Sequence, residues 1–383
     1  MKENKIFLHF LLLFSILWPL SALWSGSPAI SFFEGARIFL TIWALIGVIF
    51  FLQRSQKLKF FFYQVLIGLG IVESLIAVGQ FFKRASLGFY FLGESHLETN
   101  VVGLPRIIIG GEKWLRAFGT FPHPNVLGGF LLLTLVATGF LYFYDQRPKK
   151  NFYFWLIFTQ LVGLALTFSR SAWLGLGVIL VFEAFKNGTF FQKLNKTNNF
   201  SKIFKTVILS AMLFFGLLLA IRQSSIESVF LGRDESSRLR FELAKAALKR
   251  FSSAPILGRG WMTGTIELPA FSNYSFYLWE YQPVHNIFLL VLADLGLIGL
   301  LVFLIFLWQV GQKWQKIKGP FLIWGELLSA YLLIGLFDHY LLTLPQGLFI
   351  FFLVALTCLM TDKKEEKVEL KKKLEKIYPS FEK

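Results

Sequence analysis

The chain has 383 residues, of which 55% are hydrophobic, 18% aromatic and only 16% charged, with a mean hydropathy of +0.59. Soluble domains carry about a quarter charged residues, so this composition excludes a soluble globular protein and indicates a membrane protein. The formal net charge of +16 does not indicate a nucleic-acid partner, because Lys and Arg fall in short blocks between apolar runs rather than on one water-soluble face.

A helical span needs about 20 mostly apolar residues. The N-terminus, Lys2 and Lys5 followed by an apolar run from Ile6 to Leu23, resembles a signal peptide, but its length and the spans that follow favour a retained first span. In chain order the spans are predicted at 6–24, 34–52, 60–82, 124–144, 152–168, 171–186, 203–222, 284–311, 320–340 and 344–361. The fold class is thus an all-α integral membrane protein of about ten transmembrane helices. It forms one domain over 1–361, followed by a charged tail at 362–383. The lone Cys358 cannot form an internal disulfide, and no Cys/His metal spacing is present. No metal and no cofactor are expected.

With the N-terminus placed in the cytoplasm, the loops 53–59, 145–150, 186–205 and 312–318 and the tail are basic and nearly free of acids. The opposite loops, 25–35, 83–123 and 223–283, mix both signs. This alternation predicts cytoplasmic termini and two long external loops.

Polar residues near the external ends of the spans are the candidate site. RAFGTFPHPNVLGG (116–129) leads into the fourth span. There Pro124 suits a first helical turn, and His123 and Asn125 read equally as helix-start residues or as site residues. Arg116 stands outside the membrane boundary, against the positive-inside bias. In TFSRSAW (167–173), Ser171 is a candidate cap, and Arg170 either snorkels to headgroups or serves function, since an arginine at membrane depth is costly. An amphipathic helix is predicted from Ser237 to Phe251, with Arg238, Glu242, Lys245 and Lys249 on one face and Leu239, Leu243 and Ala246 on another. Such a helix lies along the membrane interface. Lys245, Lys249 and Arg250 read as a solvated basic face, and Arg238 and Arg240 stay open between structure and function. PVHNIF (283–288) puts His285 and Asn286 at the mouth of the next span. Asp338-His339 reads as a polar pair at a helix end. Arginines with a histidine on one face suit a phosphate-bearing substrate at the outer headgroups, since guanidinium binds phosphate bidentately and imidazole accepts a proton near neutral pH.

His285-Asn286, nine residues, then Gly296-x-x-Gly299 resembles the signature of the O-antigen ligase family, which joins or polymerises lipid-carried glycans. TFSRSAW, SSRLRFELAKAALKRFSSAPILGRG and RAFGTFPHPNVLGG are similar to its other motifs, in the expected order over roughly residues 70 to 310. The resemblance implies an architecture akin to the lipid-linked (GT-C type) glycosyltransferases. It also implies an inverting glycosyltransferase of the bacterial cytoplasmic membrane, with an undecaprenyl-diphosphate-linked glycan donor and a glycan, lipid or protein acceptor; a diphosphate is already a good leaving group, so a metal-independent reaction is expected. It places the family histidine on His285 and the arginines on Arg170 and Arg238, with Arg240 a competitor, while Arg116, from its place on the external face, is a further candidate phosphate contact. Asn286, Asn125 and His123 would support them. The alternative is an anion or small-solute transporter of the same superfamily. The second and third spans, however, offer only Glu34, Arg37, Glu73 and Gln80 as polar groups along such a path.

Overall fold

The computed structural model describes residues 2–144, 150–186, 235–317 and 319–360. The predicted span 203–222, most of the basic loops 145–150 and 186–205, the start of the 223–283 loop and the tail 362–383 lie outside these residues. The described helices are α1 (Lys2–Leu20), α2 (Pro28–Leu52), α3 (Gln56–Lys83), α4 (Pro124–Tyr144), α5 (Lys150–Leu166), α6 (Arg170–Lys186), α7 (Glu235–Ser253), α8 (Gly264–Phe271), α9 (Ile287–Gln315), α10 (Ile323–Gly335), α11 (Tyr340–Thr343) and α12 (Pro345–Leu356). Five of the regions, Lys5–Trp24, α2, α3, Pro124–Tyr142 and α9, are long and apolar enough to cross a membrane, and Asn151–Leu166, Ile323–Gly335 and Pro345–Met360 are shorter apolar helices. The protein is therefore a helical membrane protein.

The helices pack so that α4 is central, with 83% of its apolar stretch buried inside the protein against 33% for the first span. Two ends are distinct. At one, Gln53 donates to the Leu359 carbonyl, Lys59 Nζ reaches the Met360 carbonyl at 3.5 Å, and Lys313 Nζ stands 4.8 Å from the Phe7 ring. At the other, Ser31 donates to the Trp261 carbonyl at 3.1 Å, Arg116 Nε to that of Thr167 at 2.7 Å, and Asn286 Nδ2 to that of Leu336 at 3.2 Å. For the described loops, 53–59 and 312–317 share the first end and 25–35 and 83–123 the second, as the basic alternation predicts.

Three features depart from the sequence expectation. The predicted span 320–340 is a helix only over Ile323–Gly335. Beyond it the Asp338 carboxylate accepts from the His339 backbone N at 2.9 Å, a local bond that competes with helical pairing. Helix α9 is interrupted at Gly296, whose φ of 66° and ψ of −166° are not helical. Within the first external loop, Arg106–Ile109 and Glu112–Leu115 form an antiparallel hairpin, β1 and β2. Its turn, Gly110-Gly111, has φ of 59° and 83°, the positive pair that a two-residue hairpin turn needs.

Glu73 and Gln80 on α3 are fully employed in structure. Glu73 accepts from Thr120 N at 2.9 Å and Thr120 Oγ1 at 2.6 Å, while Gln80 Oε1 accepts from Phe118 N at 3.0 Å and Gly119 N at 2.8 Å. These bonds pin the loop that delivers Arg116 and His123. Glu34 and Arg37 pair with each other. These four polar groups of the second and third spans thus hold structure rather than line a path.

Candidate functional site

The site is assembled from helix starts and loops at one end of the bundle. Pro124 opens α4, and the preceding His123 accepts the Asn125 backbone N on Nδ1 at 3.1 Å, which caps the helix and leaves the ring proton on Nε2. Asn125 then projects between two charged partners. Its Oδ1 accepts from Arg116 Nη2 at 2.6 Å, and its Nδ2 donates to Asp338 Oδ2 at 2.6 Å. Asn286 caps α9 by accepting from Phe288 N and Leu289 N, both at 2.9 Å. It thereby fixes the chain on which His285 stands. The His285 and His339 rings meet edge to face, centroids 4.9 Å apart, and His285 Nδ1 is buried with no hydrogen-bond partner. His339 Nδ1 and Thr343 Oγ1 are 2.7 Å apart.

Burial first, then the charge of Arg116, pushes His123 down to about 3. Burial, then His339, does the same for His285, also to about 3, with Arg240 adding to the fall and Asp338 opposing it. His339 is lowered by burial and by Arg240. Burial works to raise Asp338, yet its neighbours His339, His123 and His285 and the bond from Asn125 hold it below the usual carboxylate range. At neutral pH the cluster is therefore neutral imidazoles around one carboxylate, bordered by Arg116 and Arg240.

The structure separates the predicted arginines. Arg116 is built into the cluster. Arg240, half-buried on α7, acts electrostatically on His123, His285 and His339. Arg238 is exposed, 5.3 Å from the Tyr274 ring. Arg170 is exposed at the first position of α6, on the turn whose Thr167 carbonyl Arg116 holds. Ser169 rather than Ser171 caps that helix, accepting from Ala172 N at 3.4 Å. A cation at a helix start is opposed by the helix dipole, so Arg170 adds its charge to an end that is already positive.

Three expectations need correction. Asp338 and His339, expected as a polar pair at a helix end, lie in the break between Gly335 and Tyr340 and stand inside the cluster. Moreover, the metal-capable set absent from the sequence spacing exists in space: ligand atoms of His285, Asp338 and His339 all lie within 4.8 Å of one another. Distant sequence positions hid it, although an Asp-His pair breaking an apolar run was the visible signal. Arg250, expected in a solvated face, is 3% exposed. It pairs with Asp294 and with Glu267 at 2.9 Å, and donates to the Ala293 carbonyl at 3.0 Å. The helical period was right but the solvated face ended one turn too late, since Lys245 and Lys249 are exposed while Ala246, Ala247 and Arg250 are buried.

The turn after α7 locks into the break in α9. Leu297 N donates to the Pro255 carbonyl at 2.8 Å, Ile298 N to that of Ile256 at 3.2 Å, and Gly260 N to that of Asp294 at 3.0 Å. A side chain at Gly258 would collide with the Asp294 backbone, and one at Gly296 with the Ile256 carbonyl. Leu239, Leu243 and Ala246 pack with Leu268, Phe271 and Phe276, so the predicted apolar face of α7 rests on α8.

Residues 152–304, which include Arg170, Arg238, Arg240, His285 and Asn286, match the family model described as O-antigen ligase. No curated protein matches the chain.

Proposed function

From the match of residues 152–304 to the O-antigen ligase family model, we propose that the chain transfers a glycan from an undecaprenyl-diphosphate-linked donor to an acceptor hydroxyl at the external face of the bacterial cytoplasmic membrane. The observation that carries this reading is the clustering of His285, Asp338, Asn125 and Arg116 beside Arg240 at the acid-containing end of an apolar bundle. Among the described residues, the basic segments 53–59 and 312–317 lie at the other end, which the positive-inside bias assigns to the cytoplasm.

Arg170 and Arg240 bind the donor diphosphate, with Arg116 behind them, and Arg238 contacts the glycan or headgroup further out. His285, neutral at physiological pH, accepts the proton of the acceptor hydroxyl. That oxygen forms its bond to the anomeric carbon as the bond to the diphosphate oxygen breaks, with inversion. The electron pair leaves on the diphosphate, where the guanidinium groups stabilise it. The lipid diphosphate is already a good leaving group, so the step needs no metal. Asp338 is a positioning residue, and its charge favours the imidazolium that forms. Chain elongation and transfer to a different acceptor share this chemistry.

The test uses purified protein in lipid with undecaprenyl-diphosphate-linked oligosaccharide and candidate acceptors. His285→Ala lowers transfer by about 100-fold or more while donor binding survives, and Arg170→Ala or Arg240→Ala weakens donor binding. Full transfer by His285→Ala overturns the mechanism.

A further inference from the structure

We propose that His285, Asp338 and His339 form a three-ligand site for a transition-metal ion, Zn2+ first among them, and that the ion opposes glycan transfer by occupying the base. The regulatory half rests on the reading of His285 above, whereas the binding half rests on the geometry alone.

Two imidazoles and one carboxylate, with ligand atoms within 4.8 Å of one another, are a common zinc donor set that leaves a fourth position open. Zinc–nitrogen bonds of about 2.0–2.1 Å require tetrahedral ligands about 3.3 Å apart, so the side chains close by roughly 1.5 Å at most. The surroundings already supply the supporting bonds that such a site uses. Thr343 Oγ1 donates to the His339 carbonyl at 3.2 Å, so it accepts from His339 Nδ1–H at 2.7 Å. This arrangement leaves the lone pair on His339 Nε2. Asp338 is oriented by Asn125 through Oδ2 and by the His339 backbone through Oδ1. His285 Nδ1, buried and without a hydrogen bond, is the orphaned group that an ion would satisfy. One carboxylate beside Arg116 and Arg240 is too little negative charge for Mg2+ or Ca2+, which need oxygen-rich sites. A metal that gains its binding energy from imidazole is selected instead.

The full chain, purified and stripped with EDTA, is titrated with Zn2+ alone by equilibrium dialysis, and Co2+ is used as a visible-absorption probe. One Zn2+ binds per chain, and Co2+ gives the intense bands of a four- or five-coordinate nitrogen-ligated site. Asp338→Asn and His339→Ala weaken binding at least tenfold, and Arg240→Gln tightens it because a neighbouring cation is gone. His9→Ala and His96→Ala leave it unchanged. Melting curves confirm that each variant is folded. Unaltered affinity in folded His339→Ala, or a Co2+ spectrum of six oxygen ligands, overturns the site. In the transfer assay Zn2+ inhibits the native chain and EDTA restores it. Transfer that persists with the site filled, or that EDTA abolishes, overturns the inhibitory role. Binding without any transfer activity counts against the proposed function and leaves the metal site standing.

Discussion

Asn125 and Asp338 meet side chain to side chain at 2.6 Å across a separation of 213 residues, tying the start of the central helix to the break after α10. Arg116 holds the other end of the same amide. The carboxylate beside His285 is thus oriented by an amide that is itself oriented, and this order predicts graded effects. His285→Ala lowers kcat by about 100- to 10,000-fold. Asp338→Asn lowers kcat by less and leaves the donor KM unchanged, because it removes the counter-charge of the imidazolium and not a phosphate contact. A KM change equal to the kcat change would place Asp338 in donor binding instead.

Arg250 is predicted to govern stability rather than turnover. Truncating one partner of a buried ion pair costs about 3–5 kcal/mol, since the other charge is left buried and alone. Arg250→Met should therefore lower the denaturation midpoint sharply, with Asp294 and Glu267 both losing a partner. Lys249→Met, one residue earlier and exposed, should change it little. Equal effects from the two substitutions would show that the ion pair is not the fastening.

Gly296→Ala and Gly258→Ala should each destabilise the fold by more than about 1 kcal/mol, because their φ of 66° and 69° disfavour a side chain and both positions face backbone. Gly311→Ala, in the same helix with nothing near the added carbon, serves as the comparison and should be neutral or mildly stabilising. Thermal melts of the three variants decide the point.

Acid should weaken the protein before its carboxylates titrate. His123 and His285 fall to about 3, against about 6.5 for a free imidazole. Their contribution is fully present above 6.5, and it is lost as pH falls toward 3, because the unfolded chain takes up protons that the native one refuses. The melting temperature should decline from pH 7 to 5, and His123→Gln should flatten part of that slope. A wild-type melting temperature constant over this window would contradict the neutral cluster.

The sequence carried the helical class, the grouping of the described loops at two ends and most of the residues that meet in the candidate cluster. Hydropathy, basic blocks and helix-start chemistry are local, so Pro124, the α7 periodicity and the position of His285 were all legible. Other features depended on pairing between distant segments. Asp338 and His339 gained meaning only beside His285, and Arg250 became buried only because α9 offered Asp294 and the Ala293 carbonyl. Which of Arg238 and Arg240 stands nearer the histidines depends on which side of α7 faces them, a matter of two residues that period alone does not fix. The hairpin at 106–115 was readable from β-branched residues around Gly110-Gly111, but the apolar composition drew attention to helices.

The interlock between the 254–260 turn and Gly296 gives Arg240 and His285 a shared mount. Arg240 precedes the Arg250 fastening on α7, and His285 precedes the same fastening on α9. Whatever displaces one helix at that joint carries the other with it. The distance from Arg240 to His285 is therefore set by a joint outside the candidate cluster. Substrates of different glycan length would then meet the same fixed gauge at their reacting ends, with variation absorbed by the outer loops.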